Sequence, residues 1–391
     1  MFLPYGTQMI DESDIEAVLD VLRSPYLTQG PRVEEFERAI ADRVGAKYCV
    51  AFCNATAGLH CAVKALEIEE GSEGITSPNT FVASANCMVY NGLVPVFADI
   101  DPRTYNVTAA TIESRLTDRT RLMIPVHFAG QACDMRSIAA IAEKRGLRVI
   151  EDAAHAIGSL YADGSPVGNC RYSDMTVFSF HPVKTVTSAE GGVVTTNDAE
   201  LYRRLILLRS HGITKDPARM TRISPGPWYY EMQELGYNYR MTELQSALGL
   251  SQLKRLDMFK TRRREIVAKY NEAFASLENV EIPFEPPGLS SCFHLYVPRF
   301  DFEAMGTTRA EFGKHLHSVE VGWQVLYIPV YTQPWYEKTY GVRRGLCPNA
   351  EAYYEEALAL PLYPKMTDED VERVIRAVRT AITASCQGGI R

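Results

Sequence analysis

Residues 147–184, LRVIEDAAHAIGSLYADGSPVGNCRYSDMTVFSFHPVK, hold two apolar runs, LRVIEDA and DMTVFSF, and each stops on polar side chains. Runs of this length, rich in Val, Ile and Phe, read as strands. Their apolar residues are continuous rather than alternating, the pattern of a largely parallel sheet covered by helices on both faces. The first run closes on Glu151 and Asp152. The second closes on Ser179, and Lys184 and the small, polar TVTSAEGG follow. Outward from this stretch lie KYCVAFC (47–53), LVPVFADI (93–100), RLMIPVHF (121–128) and GVVTTN (192–197), with helical patterns between them. That is α/β order. Ligands of such sheets gather at the carboxyl ends of the strands, so Asn54 to Ala57, Asp99, His127, Asp152 and Ser179 to Lys184 are expected to converge on one pocket.

The chain has 391 residues, enough for a large core and two domains in one subunit. We expect a large domain over 1–255 and a smaller α+β domain over 256–391. The charged stretch from Leu244 to Tyr270 is read as the helical link between them. Beyond it, CFHLYVPRF and VGWQVLYIPV read as strands, with helices near 309–318, 350–359 and 367–384. The Pro- and Gly-containing segment from Lys215 to Pro227 reads as an exposed loop. A balance of 41 basic and 48 acidic residues, net -7, offers no general attraction to nucleic acid or anionic membrane. No run approaches the roughly 20 apolar residues of a membrane span. The N-terminus lacks a basic region followed by an apolar stretch, so a cytoplasmic enzyme is expected. Nine scattered cysteines without a CxxC pair favour reduced thiols over disulfides or a metal.

Lys184 and Asp152 carry the chemistry. A lysine forms an imine with an aldehyde cofactor, while a separate aspartate keeps the cofactor's ring nitrogen protonated. The competing reading of Lys184 is a solvent-exposed loop lysine, and that of Asp152 a helix cap or an internal salt bridge. Ser179 is placed to offer a hydroxyl to a phosphate. Asn54-Ala55-Thr56-Ala57 joins a strand to the helical AGLHCAVKAL, and backbone N–H groups at that start form a natural phosphate cradle. Thr56 is equally an ordinary N-cap. His155 stands either beside the ring hydroxyl of a cofactor or in the core. Phe81, in SPNTFVASAN, is either a stacking ring or a core aromatic, and LGYNYRMTE, with Asn238 and Arg240, reads by itself as a polar turn.

Taken together, YLTQGPRVEEFE, FCNATAGLH, PVFADIDPRTYN, PVHFAGQACDM, VIEDAAHAIGS, FSFHPVKTVTSAEGG, LRSHGI and GYNYRMTELQSALGLSQL resemble the DegT/DnrJ/EryC1/StrS sugar aminotransferase family, over nearly the whole chain. The resemblance implies a fold-type-I pyridoxal-phosphate transferase with a mainly parallel seven-stranded sheet and a smaller C-terminal domain. It implies that Lys184 carries the Schiff base, Asp152 pairs with the ring nitrogen, Ser179 holds the phosphate with Thr56 and Ala57, and Phe81 stacks on the ring. It places His155 where relatives have glutamine or histidine, and Asn238 where the neighbouring subunit reaches the phosphate of a homodimer with shared sites. Ala55-Thr56 departs from the family's usual Gly-Thr. Relatives with histidine in place of the Schiff-base lysine are dehydratases, a branch that Lys184 argues against.

The implied activity is transfer of the amino group of L-glutamate, through the pyridoxamine form of the cofactor, to C4 of a UDP-linked 4-keto-6-deoxy-N-acetylhexosamine. Tyr5, Thr28, His181, Lys215, Arg240 and Tyr327 are expected around the substrate. The alternatives are a dTDP-, GDP- or other UDP-linked keto sugar, a pyridoxal-phosphate lyase or dehydratase, and a non-catalytic regulator. DNA binding has little support, because there is no basic recognition helix.

Overall fold

The computed structural model describes residues 1–386. Its centre is a seven-stranded sheet of β1 (Tyr48–Phe52), β2 (Glu73–Thr76), β3 (Val94–Phe97), β4 (Thr120–Ile124), β5 (Arg148–Asp152), β6 (Met175–Ser179) and β7 (Gly192–Thr196), in the order β1-β7-β6-β5-β4-β2-β3. β7 runs antiparallel to both neighbours, and the remaining pairs are parallel. The mainly parallel sheet is as expected. The strand missing from the sequence reading is β2, a four-residue EGIT whose Glu, Gly and Thr hide it from a hydrophobicity search. It is nonetheless buried throughout, and its Glu73 carboxylate takes hydrogen bonds from Arg119 and Thr117.

Both faces of the sheet are covered. Val50, Phe52, Leu122, Ile124, Val177 and Val194 belong to one apolar cluster, while their strand neighbours Cys49, Ala51, Met123, Phe178 and Val193 belong to another. This is the alternation of a pleated strand buried on both sides. A third cluster joins Leu3 to side chains between Ile266 and Ala381. The 244–270 stretch is two helices, Glu243–Leu253 and Leu256–Phe274. Of the two C-terminal strands expected, only Arg299–Phe300 forms, paired with Val280–Glu281. VGWQVLYIPV makes isolated bridges, Val321 to Leu3 and Gln324 to Ala359, because its backbone partners are single residues of irregular segments. The helices near 309, 350 and 367 are present as Arg309–Ser318, Pro348–Glu356 and Asp368–Cys386. Among the described residues no disulfide forms, no helix is long and apolar enough to cross a membrane, and no group of metal-ligating side chains assembles.

The first four helices are α1 (Glu12–Arg23), α2 (Pro31–Val44), α3 (Ala55–Ala65) and α4 (Ala83–Tyr90). α2 starts on Gly30 and Pro31, which supply no capping side chain. The cap comes instead from Glu243, fully buried 210 residues away, whose carboxylate accepts the N–H groups of Arg32 (2.9 Å) and Val33 (3.2 Å). Its own N–H donates to the Leu27 carbonyl at 3.1 Å and anchors the 26–30 loop. An anion at a helix start satisfies orphan donors and the helix dipole at once. Glu243→Ala should therefore lower the denaturant midpoint of the cofactor-free protein by the equivalent of about 2 kcal/mol. Glu243→Gln, whose amide oxygen still accepts one N–H, should recover part of that loss. Unfolding curves of the three proteins check this.

Candidate active site

The sheet register brings the functional strand ends abreast. Phe52 of β1 and Ser179 of β6 both pair with Gly192 of β7, and Asp152 of β5 pairs with Val177 of β6. Because β7 is antiparallel, the carboxyl ends of β1, β5 and β6 share one edge, and there a cavity of about 1080 Å³ opens. Tyr5, Thr56, Ala57, Phe81, Asp152, His155, Ser179, His181, Lys184 and Tyr327 all line it. Thr28, Lys215, Asn238 and Arg240 do not. Thr28, Lys215 and Asn238 are exposed.

Two strand-end residues expected in the pocket are elsewhere. Asp99 accepts the N–H groups of Asn349 and Ala350, both at 3.0 Å, and so caps the helix that starts at Pro348. His127 accepts the Cys133 N–H on Nδ1 at 3.1 Å, which leaves its proton on Nε2 to donate to Glu151 at 2.7 Å. Glu151 also accepts from Tyr161 (2.7 Å), Ser173 (2.5 Å) and Thr176 (3.2 Å). Burial raises its proton affinity, but the bond from His127 and those from Ser173 and Tyr161 outweigh it, and the carboxyl lies below its ordinary range. Successive strand residues point to opposite faces, so Glu151 turns to this buried network and Asp152 to the cavity.

Asp152 forms no ion pair among the described residues. Oδ1 accepts the Ala154 N–H at 3.0 Å, and Oδ2 accepts the Ser84 hydroxyl at 2.5 Å. Since Ser84 spends its proton on the carboxylate, the Thr80 hydroxyl, 2.7 Å away, donates to Ser84. Thr80 and Ser84 both stand in the SPNTFVASAN stretch that drew attention to Phe81, yet only the fold puts them against Asp152. Lys184 is likewise unpaired. Burial pushes its ammonium down to about 8, against the opposing pull of Asp152, and no hydrogen bond holds it.

At the start of α3 the Asn54 side chain accepts the Ala57 N–H at 2.9 Å, while the N–H groups of Ala55 and Thr56 meet no acceptor among the described residues. Gly192 is what lets this start lie against the sheet: a Cβ there would sit 2.4 Å from the Ala55 nitrogen. Free N–H groups at a helix start, flanked by the hydroxyls of Thr56 and Ser179, suit a phosphate. An unpaired buried carboxylate suits a cationic ring nitrogen, and an uncharged amine suits an aldehyde. The donor set thus fits pyridoxal phosphate. The sequence reading missed an aromatic wall of His60, Tyr90, Tyr237 and Tyr239, with the last two rings stacked at 4.9 Å. The alternation in YNYR was its signal, since the two tyrosines face this cavity and the residues between and after them do not.

A lysine titrating near 8 is largely uncharged at a pH where exposed lysines are still protonated. In the cofactor-free protein, the rate at which Lys184 is acylated should rise with a midpoint near 8. Peptide mapping across a pH series measures it, and a profile matching the surface lysines would show that burial does not set this amine.

Comparison with known proteins agrees with this geometry. The chain is 43% identical over 383 residues, 97% of each chain, to the spore coat polysaccharide biosynthesis protein SpsC of Bacillus subtilis. It superposes with TM-score 0.91, at 31% identity, on Helicobacter pylori PseC, an aminotransferase involved in the biosynthesis of pseudoaminic acid, over 98% of this chain and 100% of that one. A putative sugar aminotransferase of Streptococcus pneumoniae, Spr1654, solved in pyridoxal- and pyridoxamine-phosphate forms, matches at TM-score 0.90 and 30% identity over 98% and 100% of the two chains. With residues 8–379 matching the family as a whole, the chain is a pyridoxal-phosphate-dependent, fold-type-I member of the DegT/DnrJ/EryC1/StrS aminotransferase family.

Proposed function

We propose that the chain moves the amino group of L-glutamate to C4 of a UDP-linked 4-keto-6-deoxy-N-acetylhexosamine, giving a UDP-4-amino-4,6-dideoxy sugar of the kind used for pseudaminic acid. The observation that carries the chemistry is that Lys184 and Asp152 line one cavity beside the start of α3, neither with an ion-pair partner among the described residues. Bound cofactor supplies an electron sink that lets a proton leave carbon next to the amine. In this reading Lys184 is the residue bonded to the cofactor aldehyde. When free, its amine would take the α-proton of glutamate and would deliver a proton to C4 of the sugar. Asp152, oriented by Ser84 and the Ala154 N–H, keeps the ring nitrogen protonated. Ser179, Thr56 and Ala57 would cradle the phosphate, Phe81 would face the ring, and His155 would stand at its edge.

Tyr5, His181 and Tyr327, all lining the cavity, would meet the substrate from this subunit. Asn238 would serve the phosphate of a second copy, and Thr28, Lys215 and Arg240, which do not line this subunit's cavity, would meet the substrate only if that copy brings them to it. The alternation at 237–240 supports this, because Tyr237 and Tyr239 take the inward positions of their own chain. A homodimer with two shared sites follows. The division into a large unit over 1–255 and a smaller one over 256–391, and a cytoplasmic location, belong to the same proposal. The likeness to PseC, an aminotransferase involved in the biosynthesis of pseudoaminic acid, supports a sugar of that kind. The higher identity to SpsC, a spore coat polysaccharide biosynthesis protein, favours a second reading, another nucleotide-linked keto sugar, whether dTDP-, GDP- or UDP-linked.

Purified protein incubated with glutamate and a panel of nucleotide-linked 4-keto sugars, with products identified by mass and NMR, decides between them. Lys184→Ala should lose at least about 10²-fold in rate, and substantial activity in that variant would defeat the assignment. Mixing inactive Lys184→Ala with inactive Asn238→Ala subunits should restore part of the activity. No recovery counts against shared sites.

A further inference from the structure

Both ring nitrogens of His155 are engaged by protein atoms, and the direction of each contact follows from elementary donor rules. The Ala129 N–H, which can only donate, lies 3.2 Å from Nδ1, so Nδ1 carries a lone pair. Burial, and then Lys184, push the imidazole well below its ordinary range, so the ring is neutral and its single proton sits on Nε2. Nε2 lies 3.2 Å from the Tyr327 hydroxyl oxygen and therefore donates to it.

The hydroxyl hydrogen of Tyr327 cannot point back at an N–H donor. It is turned instead toward the cavity that Tyr327, His155 and Lys184 line together. Burial, with Tyr5 and Asp152, holds the phenol above its ordinary range, so it keeps that hydrogen. The ring itself is fixed: the Tyr327 N–H donates to Asn79 Oδ1 at 3.2 Å, and the ring lies nearly parallel to His155 at 6.1 Å and against Phe128 at 6.2 Å. A polarised chain, Ala129 N–H to His155 to Tyr327, thus ends in one donor with nowhere to go but the ligand.

We propose that Tyr327 donates a hydrogen bond to the ligand oxygen adjacent to the carbon that reacts at Lys184, and that His155 is the positioning residue that aims it. The inference deepens the function proposed above and rests on Lys184 being the reacting amine. His155, with both nitrogens spent, then acts through Tyr327 rather than on the cofactor itself. The acceptor is either the cofactor's ring oxygen or a carbonyl oxygen of the substrate, and the chemistry of the donor is the same for both. The titratable groups around Tyr327 are His155, Asp152, Tyr5 and Tyr353, while Lys184 and His294 face His155.

Two readouts on the holoenzyme test this, with Tyr327→Phe, His155→Leu and His155→Gln. The first is the pH titration of the visible absorption band without substrate. If the ring oxygen accepts, Tyr327→Phe raises the midpoint by about one pH unit, because the lost donor stabilised the oxygen anion most once the nearby proton had left. The second is the rate with the keto sugar. If the substrate oxygen accepts, the band titrates as in wild type, while kcat falls at least about tenfold and KM changes little. In either case His155→Leu should move the same readout, and His155→Gln, which keeps an N–H to offer, should recover most of that change relative to His155→Leu.

Tyr327→Phe leaving both readouts unchanged overturns the proposal, as does a His155→Leu variant that fails to follow it. A wild-type protein with neither visible band nor amino transfer overturns the proposed function together with this inference. A wild type that transfers normally alongside an unaffected Tyr327→Phe overturns this inference alone.

Discussion

The site depends on one steric constraint, the absence of a side chain at Gly192. The first residues of α3 press on β7 there, close enough that a Cβ would collide with backbone rather than with a movable side chain. Backbone cannot retreat without carrying the helix start with it, so this contact sets the height of the Ala55 and Thr56 N–H groups above the sheet. The same glycine pairs with Phe52 on one side and Ser179 on the other. A single residue therefore levels three elements: the strand that leads into the cradle, the cradle itself, and the strand that leads to Lys184.

Around that frame the charges are arranged by separation. Two consecutive carboxylates on β5 would repel each other and each demand a partner if they shared a face. The pleat sends Glu151 into a closed set of four donors, and Asp152 into the cavity with only two neutral ones. Lys184 is close enough to feel Asp152 yet forms no bond with it. An ion pair between them would neutralise both groups and fill the space between them. Kept apart, the acid retains an unmet demand for a cation and the amine is held near 8, which is the state an aldehyde-binding lysine requires.

Hydrogen bonds from uncharged donors then supply direction. Thr80 donates to Ser84 and Ser84 to Asp152, while Ala129 donates to His155 and His155 to Tyr327. In each chain a group that can only donate or only accept fixes the polarity of every bond, so the last member has one orientation left. A dry pocket makes such chains stiff, because reversing a bond would strand a buried polar atom.

The sequence by itself determined most of the succession of strands and helices, the residues that close each strand, and Lys184 and Asp152 as candidates for the chemistry. Continuous apolar runs between helical patterns have few other solutions. It could not show β2, whose burial comes from its neighbours and not from its own side chains. Nor could it show that Asp99, His127 and Glu151 turn away from the cavity that Asp152 lines, since all four stand at strand ends and differ only in which way the pleat and the adjoining helices turn them. Ser84 and Tyr327 lie 68 and 172 residues from the partners they bond. Contacts of that span exist only after the sheet has closed, and the tertiary structure alone decided them.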